Sequence, residues 1–258
     1  MMNAFHTLRT RGENFSMYRF ELLTMMLSAL EWKKHNGRIK LVTDRRGAEY
    51  LKQFELEKIY DEIDVSLDEI DALGIDENIF WAGAKLFALS RQQCPCVMLD
   101  LDFIVWRPLD FSPYRNDVAV IHFERVGNEI YPPSEHFRFK NNFRLPPSLD
   151  WTVEACNTAF AYFGARDFVN RYCNFAFDFM RAADGDGLPY MVFVEQRWLA
   201  MCARLMGRSV HEMSSLNDLF GGRQKYFTHI WGAKQKLRDD PIAADKFCAD
   251  CILSPSLA

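Results

Sequence analysis

The sequence predicts an α/β fold, with a mixed central sheet flanked by helices. Strand-like and helix-like segments alternate from Asn3 to Val65, and this rhythm favours parallel strand pairs. Cys96 to Leu99 is an uninterrupted apolar run, typical of a strand buried on both faces of a sheet. The 258 residues, 49% hydrophobic and 26% charged, are of ordinary globular composition. No repeat or clear linker divides the chain, so we expect one domain over residues 1–258.

The first part of the chain accounts for three strands and two helices. Phe20, Leu23 and Leu27 recur at helical spacing, and Asn36-Gly37 follows them as a helix C-cap would. The predicted elements, in order, are a strand at Asn3 to Leu8, a helix at Ser16 to His35, a strand at Ile39 to Thr43, a helix at Arg45 to Phe54 and a strand at Ile59 to Val65.

The remaining elements are spaced less regularly. A glycine-rich turn, Asp184 to Gly187, separates two helical patterns in the second half. The predicted elements are a helix at Phe80 to Gln93, a strand from Cys96 through Val105, strands at Val118 to Phe123 and Thr158 to Phe163, helices at Ala165 to Ala183 and Val192 to Leu205, and a strand at Tyr226 to Trp231.

The stretch from Glu124 to Asp150 interrupts this order with two Pro-Pro pairs and with several aromatic and basic residues. A long stretch without secondary structure in a compact domain is usually functional or disordered. Its aromatic content argues against disorder. We therefore expect a loop that faces the substrate, with a plain surface excursion as the alternative.

The most informative motif is Asp100-Leu101-Asp102, directly after the apolar strand. Ligands of open α/β sheets bind at the C-terminal edge of the parallel strands. Two carboxylates beside an apolar core are costly to bury unless a positive group lies between them. Carboxylate oxygens suit Mg²⁺ or Mn²⁺. The motif therefore predicts a divalent-metal site, although a strand that turns into solvent with two surface acids has the same pattern.

Composition limits the class of protein. A net charge of −4 argues against a nucleic-acid partner. No apolar run approaches the roughly 20 residues that span a bilayer, and Met1 to Arg11 lacks the apolar core of a signal peptide. Seven cysteines without an export signal indicate reduced thiols in a cytoplasmic protein. The pairs Cys94/Cys96 and Cys248/Cys251 are weak evidence for structural zinc.

Several short motifs in order give the chain a family resemblance. After the strand ending in Asp44 come Lys85 and the Asp-x-Asp motif, then Asn157-Thr158-Ala159-Phe160, Glu195-Gln196 and His229-Ile230-Trp231-Gly232-Ala233-Lys234. The chain resembles the GT-A glycosyltransferases, and among them the glycogenin-like and lipopolysaccharide galactosyltransferase-like retaining enzymes. The resemblance runs from about Ile39 to Lys234. It implies a single Rossmann-like GT-A domain that moves a sugar from a nucleotide-sugar to an acceptor hydroxyl.

The resemblance implies a metal site with a phosphate site beside it. Asp100, Asp102 and His229 would hold Mn²⁺, or Mg²⁺, against the diphosphate of the donor, most simply a UDP-sugar. Lys234 would contact phosphate, although the family spacing leaves Lys236 as an alternative. The donor-binding residues implied on this side are Lys85, Leu101 and Gly232, the last allowing close backbone approach.

The resemblance also implies residues for the sugar and the nucleoside. Glu195 and Gln196 would lie near the reacting carbon, where the family usually has Asp in place of the Glu. Asn157 would contact the donor sugar, and the nucleoside and donor side would be met by Thr7, Arg9, Thr10 and Asp44. The acceptor would be a glycan, a glycolipid or another hydroxyl compound, and the stretch from Glu124 to Asp150 would be the loop on the acceptor side. Peripheral association with a membrane would be compatible with such an acceptor.

Each of these residues also has an ordinary structural explanation. His229 could be a core histidine with satisfied hydrogen bonds, and Glu195-Gln196 could lie on the wet face of a helix. Two other functions fit part of the pattern. A haloacid-dehalogenase-like phosphatase would use Asp100 as nucleophile and Asp102 as acid/base, with Asp184 and Asp186 imitating its later acidic motif. A catalytically silent GT-A domain would bind a glycan or a protein.

Overall fold

The computed structural model describes residues 1–222 and 224–253, and it confirms an α/β fold with a mixed sheet. The strands of this part are β1 (Asn3–Leu8), β2 (Ile39–Thr43), β3 (Glu62–Asp64), β4 (Cys96–Leu99), β5 (Phe103–Val105), β6 (Val118–Val120), β7 (Phe123–Glu124), β8 (Ala155–Cys156), β9 (Phe160–Phe163), β10 (Val210–Glu212) and β11 (Phe227–His229).

The central sheet has the order β10-β6-β9-β4-β1-β2-β3. β9 runs antiparallel to both of its neighbours, and the other four pairs are parallel. Two small antiparallel pairs, β5 with β11 and β7 with β8, lie outside this sheet. The C-terminal ends of the parallel strands β1, β2 and β4 therefore meet at one edge, where the Asp-x-Asp motif begins.

The helices are α1 (Arg19–His35), α2 (Arg45–Lys52), α3 (Gly83–Ser90), α4 (Arg166–Ala182), α5 (Leu188–Val192), α6 (Trp198–Leu205), α7 (Leu216–Phe220), α8 (Lys234–Asp239) and α9 (Pro241–Ile252). A π-helical turn, Phe193–Arg197, joins α5 to α6. Four 3₁₀ segments are Leu56–Ile59, Ser66–Leu73, Ser134–His136 and Trp231–Ala233. No helix of residues 1–222 and 224–253 combines the length and apolarity that a bilayer crossing requires.

The hydrophobic core has two layers because alternate strand residues point to opposite faces of the sheet. Met98 of β4 packs into the layer that holds α3, α4 and α6, whereas its neighbours Val97 and Leu99 pack into the layer beneath α1. β4 is covered on both sides, which accounts for its uninterrupted apolar sequence. Helices on both faces were predicted, and this is confirmed.

The main corrections to the predicted elements concern their ends. The first helix begins at Arg19 rather than Ser16, and the strand predicted at Ile59 to Val65 is a 3₁₀ turn followed by the three-residue β3. The run from Cys96 to Val105 is two strands, because the chain turns at the aspartates and β5 leaves the sheet to pair with β11. The predicted elements do not include β8, α5, β10, α7, α8 and α9.

The stretch from 124 to 150 is packed against the body of the protein. Tyr131, Phe137 and Leu149 are buried. The Arg197 guanidinium donates hydrogen bonds to the carbonyl oxygens of Tyr131 and Trp151, at 2.9 Å and 2.6 Å. This stretch is therefore anchored to the π-helical turn that also carries Glu195 and Gln196.

Candidate functional site

The Asp-x-Asp motif forms a turn at the end of β4. The Asp100 N–H donates to the carbonyl oxygen of Ala159 at 2.7 Å, and the Phe103 N–H donates to the carbonyl oxygen of Asp100 at 3.0 Å. The side chain of Asp100 is 30% exposed, and that of Asp102 is 8% exposed. The turn thus presents one carboxylate toward solvent and encloses the other.

His229 reaches the aspartates through strand pairing. In the β5–β11 pair His229 lies opposite Phe103, the residue after Asp102. One ligand atom each from Asp100, Asp102 and His229 all lie within 4.8 Å of one another. Among residues 1–222 and 224–253 this is the one such group of three or more Asp, Glu, His or Cys side chains.

The chemistry of the group fits a cation. Asp102 Oδ2 is buried and accepts no hydrogen bond from the described residues. Its charge is met by an ion pair with Lys234 Nζ, 2.9 Å away. His229 Nε2 is 3.7 Å from the same oxygen, beyond hydrogen-bond distance. Burial lowers the pKa of His229 despite the nearby carboxylates, so the ring is neutral at pH 7 and can ligate a metal.

Lys85 joins the motif to the π-helical turn. Its Nζ lies 2.6 Å from Asp100 Oδ1 and 2.7 Å from Glu195 Oε1. Burial opposes the charge of Lys85, but the carboxylates of Asp100 and Glu195 more than offset it and raise the pKa of Lys85 above its usual value. Lys85 is therefore a permanent cation between two acids on different elements.

Glu195 is buried, so the alternative that it lies on a wet helix face is wrong. Its Oε1 also accepts a hydrogen bond from the Thr158 hydroxyl at 2.8 Å. The Tyr172 hydroxyl donates to the backbone carbonyl of Glu195, which lies in the π-helical turn. The turn thereby holds Glu195 against Lys85.

A second polar cluster centred on Glu124 was missed by sequence reasoning. The two oxygens of Glu124 accept hydrogen bonds from Asn157 Nδ2 at 2.9 Å and from the Tyr131 hydroxyl at 2.8 Å. The Tyr131 hydroxyl also contacts Gln196 Oε1. Burial would raise the pKa of Glu124, but the neighbouring His122 ring and hydrogen bonds from Asn157 and Tyr131 lower it. An acid directly after an apolar strand, as at Asp100, was the available signal.

A cavity of about 610 Å³ opens over the carboxyl ends of β1 and β4. Its lining includes three side chains not predicted for the site: Arg11, Trp81 and Arg238. Eight predicted residues also line it: Thr7, Arg9, Lys85, Asp100, Leu101, Asp102, Glu195 and Lys234. The structure therefore brings together residues from widely separated parts of the chain around one opening.

Other predicted residues lie elsewhere or are already engaged. Asp44 caps α2, where its oxygens accept from the Gly47 N–H at 2.7 Å, the Thr10 N–H at 2.8 Å and the Thr10 hydroxyl at 2.7 Å. Arg9 lines the cavity, but its guanidinium is held by Glu77, Asp44 and Asp71. The structure thus gives Asp44 and Arg9 structural partners, and donor contacts by either remain predictions.

The glycine and the alternative lysine of the last motif are solvent-facing. Gly232 lies in a 3₁₀ segment, and a Cβ there would meet no described atom within 4 Å. Lys236 is exposed on α8 and is absent from the described lining of the cavity, whereas Lys234 reaches Asp102. The geometry places Lys234, not Lys236, beside the aspartates.

Two other interpretations of the sequence lack structural support. Asp184 and Asp186 are exposed. They belong neither to the group of Asp100, Asp102 and His229 nor to the described lining of the cavity. No group with metal-ligand geometry forms around Cys94, Cys96, Cys248 or Cys251 within the described residues. The phosphatase arrangement and the zinc site are both disfavoured by these positions.

Comparison with known proteins assigns the chain to a family. No curated protein matches the sequence significantly. One similar solved structure is the PaToxG glycosyltransferase, which is 14% identical over 85% of this chain and 71% of that one, at a TM-score of 0.47. Another is the glycosyltransferase GlyE of Streptococcus pneumoniae TIGR4, which is 13% identical over 86% of this chain, at a TM-score of 0.41. The chain spans less than half of the latter, and TM-scores below 0.5 mark both as distant likenesses. Residues 6–228 match the family of unknown function DUF6734, and the chain therefore belongs to that family.

Proposed function

We propose that this chain is a metal-dependent glycosyltransferase, a single GT-A-like domain that moves a sugar from a nucleotide-sugar to an acceptor hydroxyl. The observation that carries the proposal is the group formed by Asp100, Asp102 and His229 at the carboxyl edge of the sheet. A buried carboxylate oxygen without a hydrogen bond and a neutral histidine are the donor set that Mn²⁺ or Mg²⁺ accepts.

The charges around the cavity suit a nucleoside diphosphate as the leaving group. Lys234 lies beside Asp102, and Arg11 and Arg238 also line the opening. A bound divalent ion would neutralise the growing negative charge on the diphosphate. Lys234 would exchange its contact with Asp102 for a phosphate oxygen, and so add a second positive charge. UDP is the nucleotide proposed, with Thr7 and Arg9 on the nucleoside side.

The group-transfer step requires no further reagent. The acceptor oxygen bonds to the anomeric carbon, the bond from that carbon to the diphosphate oxygen breaks, and its electron pair leaves with the nucleoside diphosphate. The hydroxyl proton passes to the leaving phosphate oxygen. Gln196, Glu195 and Asn157 would face the donor sugar. Lys85 holds Glu195 in place, and Glu124 and Tyr131 hold the Asn157 and Gln196 amides.

The setting proposed is the cytoplasm. All seven cysteines are free thiols, and six of them are buried. Buried thiols are stable where the compartment keeps cysteine reduced. The acceptor proposed is a glycan, a glycolipid or another hydroxyl compound.

Calorimetric titration of UDP, with Mn²⁺ and then with EDTA, tests the function. We expect binding with Mn²⁺ that EDTA abolishes, and that Asp102→Asn weakens about 100-fold or more because one ligand charge is lost. Asp186→Asn is the matched control, since Asp186 is exposed and outside the group, and it should bind like the wild type.

Three results would count against the proposal. Binding that is indifferent to metal would remove the metal site. No UDP binding in either condition would favour a silent domain. Hydrolysis of p-nitrophenyl phosphate that Asp186→Asn abolishes would favour the phosphatase.

A further inference from the structure

A second cleft, of about 470 Å³, opens beside His229. It shares no described lining residue with the cavity around Asp100. Its volume is within the roughly 300 to 1,000 Å³ of small-ligand sites. The first cavity, where the donor is proposed to bind, therefore lies at Asp100 and Asp102, the partners of His229 in the candidate metal site. The second cleft is separate and is lined by His229 itself.

Two tryptophans line this cleft. Trp231 follows β11, is 53% exposed and stacks on His229 with ring centroids 6.3 Å apart. Trp106 follows β5, and its Nε1–H donates to Thr228 Oγ1 at 2.8 Å, which fixes the indole. Because β5 and β11 are antiparallel, the two tryptophans follow strand ends at opposite ends of the ribbon, and both line the cleft.

The inner wall of the cleft leads to the residues proposed to face the donor sugar. His122 lines the cleft, and its Nε2 lies 3.4 Å from Glu124 Oε1. Glu124 in turn holds Asn157 directly and Gln196 through the Tyr131 hydroxyl. A ligand in the cleft would therefore contact His229, which belongs to the candidate metal site with Asp100 and Asp102. It would also contact His122, which lies in front of the residues proposed to face the donor sugar.

The lining matches the surface of a saccharide. Sugar rings have flat faces of C–H groups that pack on indole rings, and a rim of hydroxyls that needs polar partners. The exposed side chains of Thr228 and Lys225 also line the cleft and supply such partners. We propose that this cleft binds the saccharide acceptor, an inference that rests on the proposed glycosyl transfer. The acceptor side is thus the β5–β11 ribbon rather than the stretch from 124 to 150.

Saturation-transfer NMR with lactose, maltose and cellobiose, in the presence of UDP and diamagnetic Mg²⁺, tests the cleft. We expect at least one disaccharide to receive saturation from the wild type, and Trp231→Ala to weaken its binding by about tenfold or more. Tyr226→Ala is the matched control, because Tyr226 is 49% exposed on the same segment but is not among the described lining of the cleft.

The outcomes separate the cleft from the proposed transferase activity. Equal saturation by wild type and Trp231→Ala, or saturation of none of the three sugars, would overturn the acceptor cleft. Saccharide binding that persists in Asp102→Asn while UDP binding is lost would support two separate subsites. Saccharide binding that depends on Trp231, in a wild type that does not bind UDP, would support the cleft as a glycan site and defeat the transferase.

Discussion

Two histidines, each in a β-strand, have opposite surroundings. His6, in the centre of β1, has no exposed surface, and both of its ring nitrogens have partners: Tyr60 OH at 2.8 Å and Ser28 Oγ at 3.0 Å. His229, at the end of β11, has a side chain 13% exposed and no hydrogen bond within the described residues. Its nearest carboxylate oxygen is 3.7 Å away.

The comparison shows that burial alone does not mark a functional histidine. The Ser28 hydroxyl donates to the Phe103 carbonyl, so it accepts from His6 Nε2–H, and His6 Nδ1 accepts from Tyr60. His6 is thus a fully satisfied neutral ring that ties β1 to α1. His229 keeps a ring nitrogen available beside two carboxylates, which is what a metal ligand requires.

The largest effect is expected at His6. His6→Ala removes a fully buried ring and leaves the Tyr60 and Ser28 hydroxyls without their partner, so we expect the free energy of unfolding to fall by about 4 kcal/mol. Urea denaturation measures this change. UDP binding below the unfolding transition should be unchanged. A loss of stability under about 1 kcal/mol would remove the structural role of His6.

His229→Ala should lower metal affinity and leave stability nearly unchanged. The substitution leaves no partner unsatisfied, so the free energy of unfolding should change by about 1 kcal/mol or less. Mn²⁺ affinity should fall about 100-fold, or about 2.7 kcal/mol, because one of three ligands is lost. Paramagnetic resonance of free Mn²⁺ measures the affinity.

His211→Ala is the matched control for His229, since His211 also lies beside a carboxylate, with Nε2 3.1 Å from Asp117 Oδ2, but outside the group of three. Equal Mn²⁺ affinity in wild type and His229→Ala would show that His229 is not a ligand. Loss of affinity in His211→Ala would show that the metal lies elsewhere.

The pH dependence of stability sharpens the same comparison. Complete burial lowers the pKa of His6 to about 3, from 6.5 in the unfolded chain. Below pH 6.5 the unfolded chain takes up a proton that the folded chain excludes, so the His6 contribution is complete above pH 6.5 and is lost as the pH falls toward 3. At pH 5 the loss should be about 2 kcal/mol.

The difference in unfolding free energy between pH 8 and pH 5, measured with EDTA present, isolates this effect. His6→Gln should show a smaller difference than the wild type by about 2 kcal/mol. Parallel curves for the two proteins would mean that His6 is not held neutral by the fold.

Much of the sheet could be predicted, because the signal is local. β1 and β2 have the predicted ends, since each is a short segment that is mostly buried and stops at a polar loop or turn. The Asp-x-Asp motif was found for the same reason. Asp44 shows the limit of this reasoning. It also follows a strand, but it caps a helix by accepting the Gly47 N–H, and its place directly before the helix predicted from Arg45 was the signal to use.

The unpredicted parts of the site depend on long-range contacts. Glu195 is buried beside Lys85, a cation 110 positions away in the sequence that donates to its carboxylate. The Glu124 cluster joins four residues from 124 to 196, none of which forms a motif with another. The π-helical turn also has no local marker, since the segment reads as one continuous helix in sequence. Such features arise from packing, which periodicity does not encode.

Tyr131→Phe has the smallest expected effect and extends the comparison to a positioning group. The substitution removes one hydroxyl, which Glu124 accepts and Gln196 contacts. Gln196 would then lose its orientation, while Asp100, Asp102 and His229 would stay in place. We expect UDP–Mn²⁺ affinity and the free energy of unfolding to be unchanged within about 1 kcal/mol, and kcat for UDP-sugar hydrolysis to fall about tenfold with KM constant. Tyr226→Phe, which removes an exposed hydroxyl, should leave kcat unchanged. A rise in KM at constant kcat would instead mean that Tyr131 contacts the donor directly, and an unchanged kcat would mean that Gln196 needs no support from Tyr131.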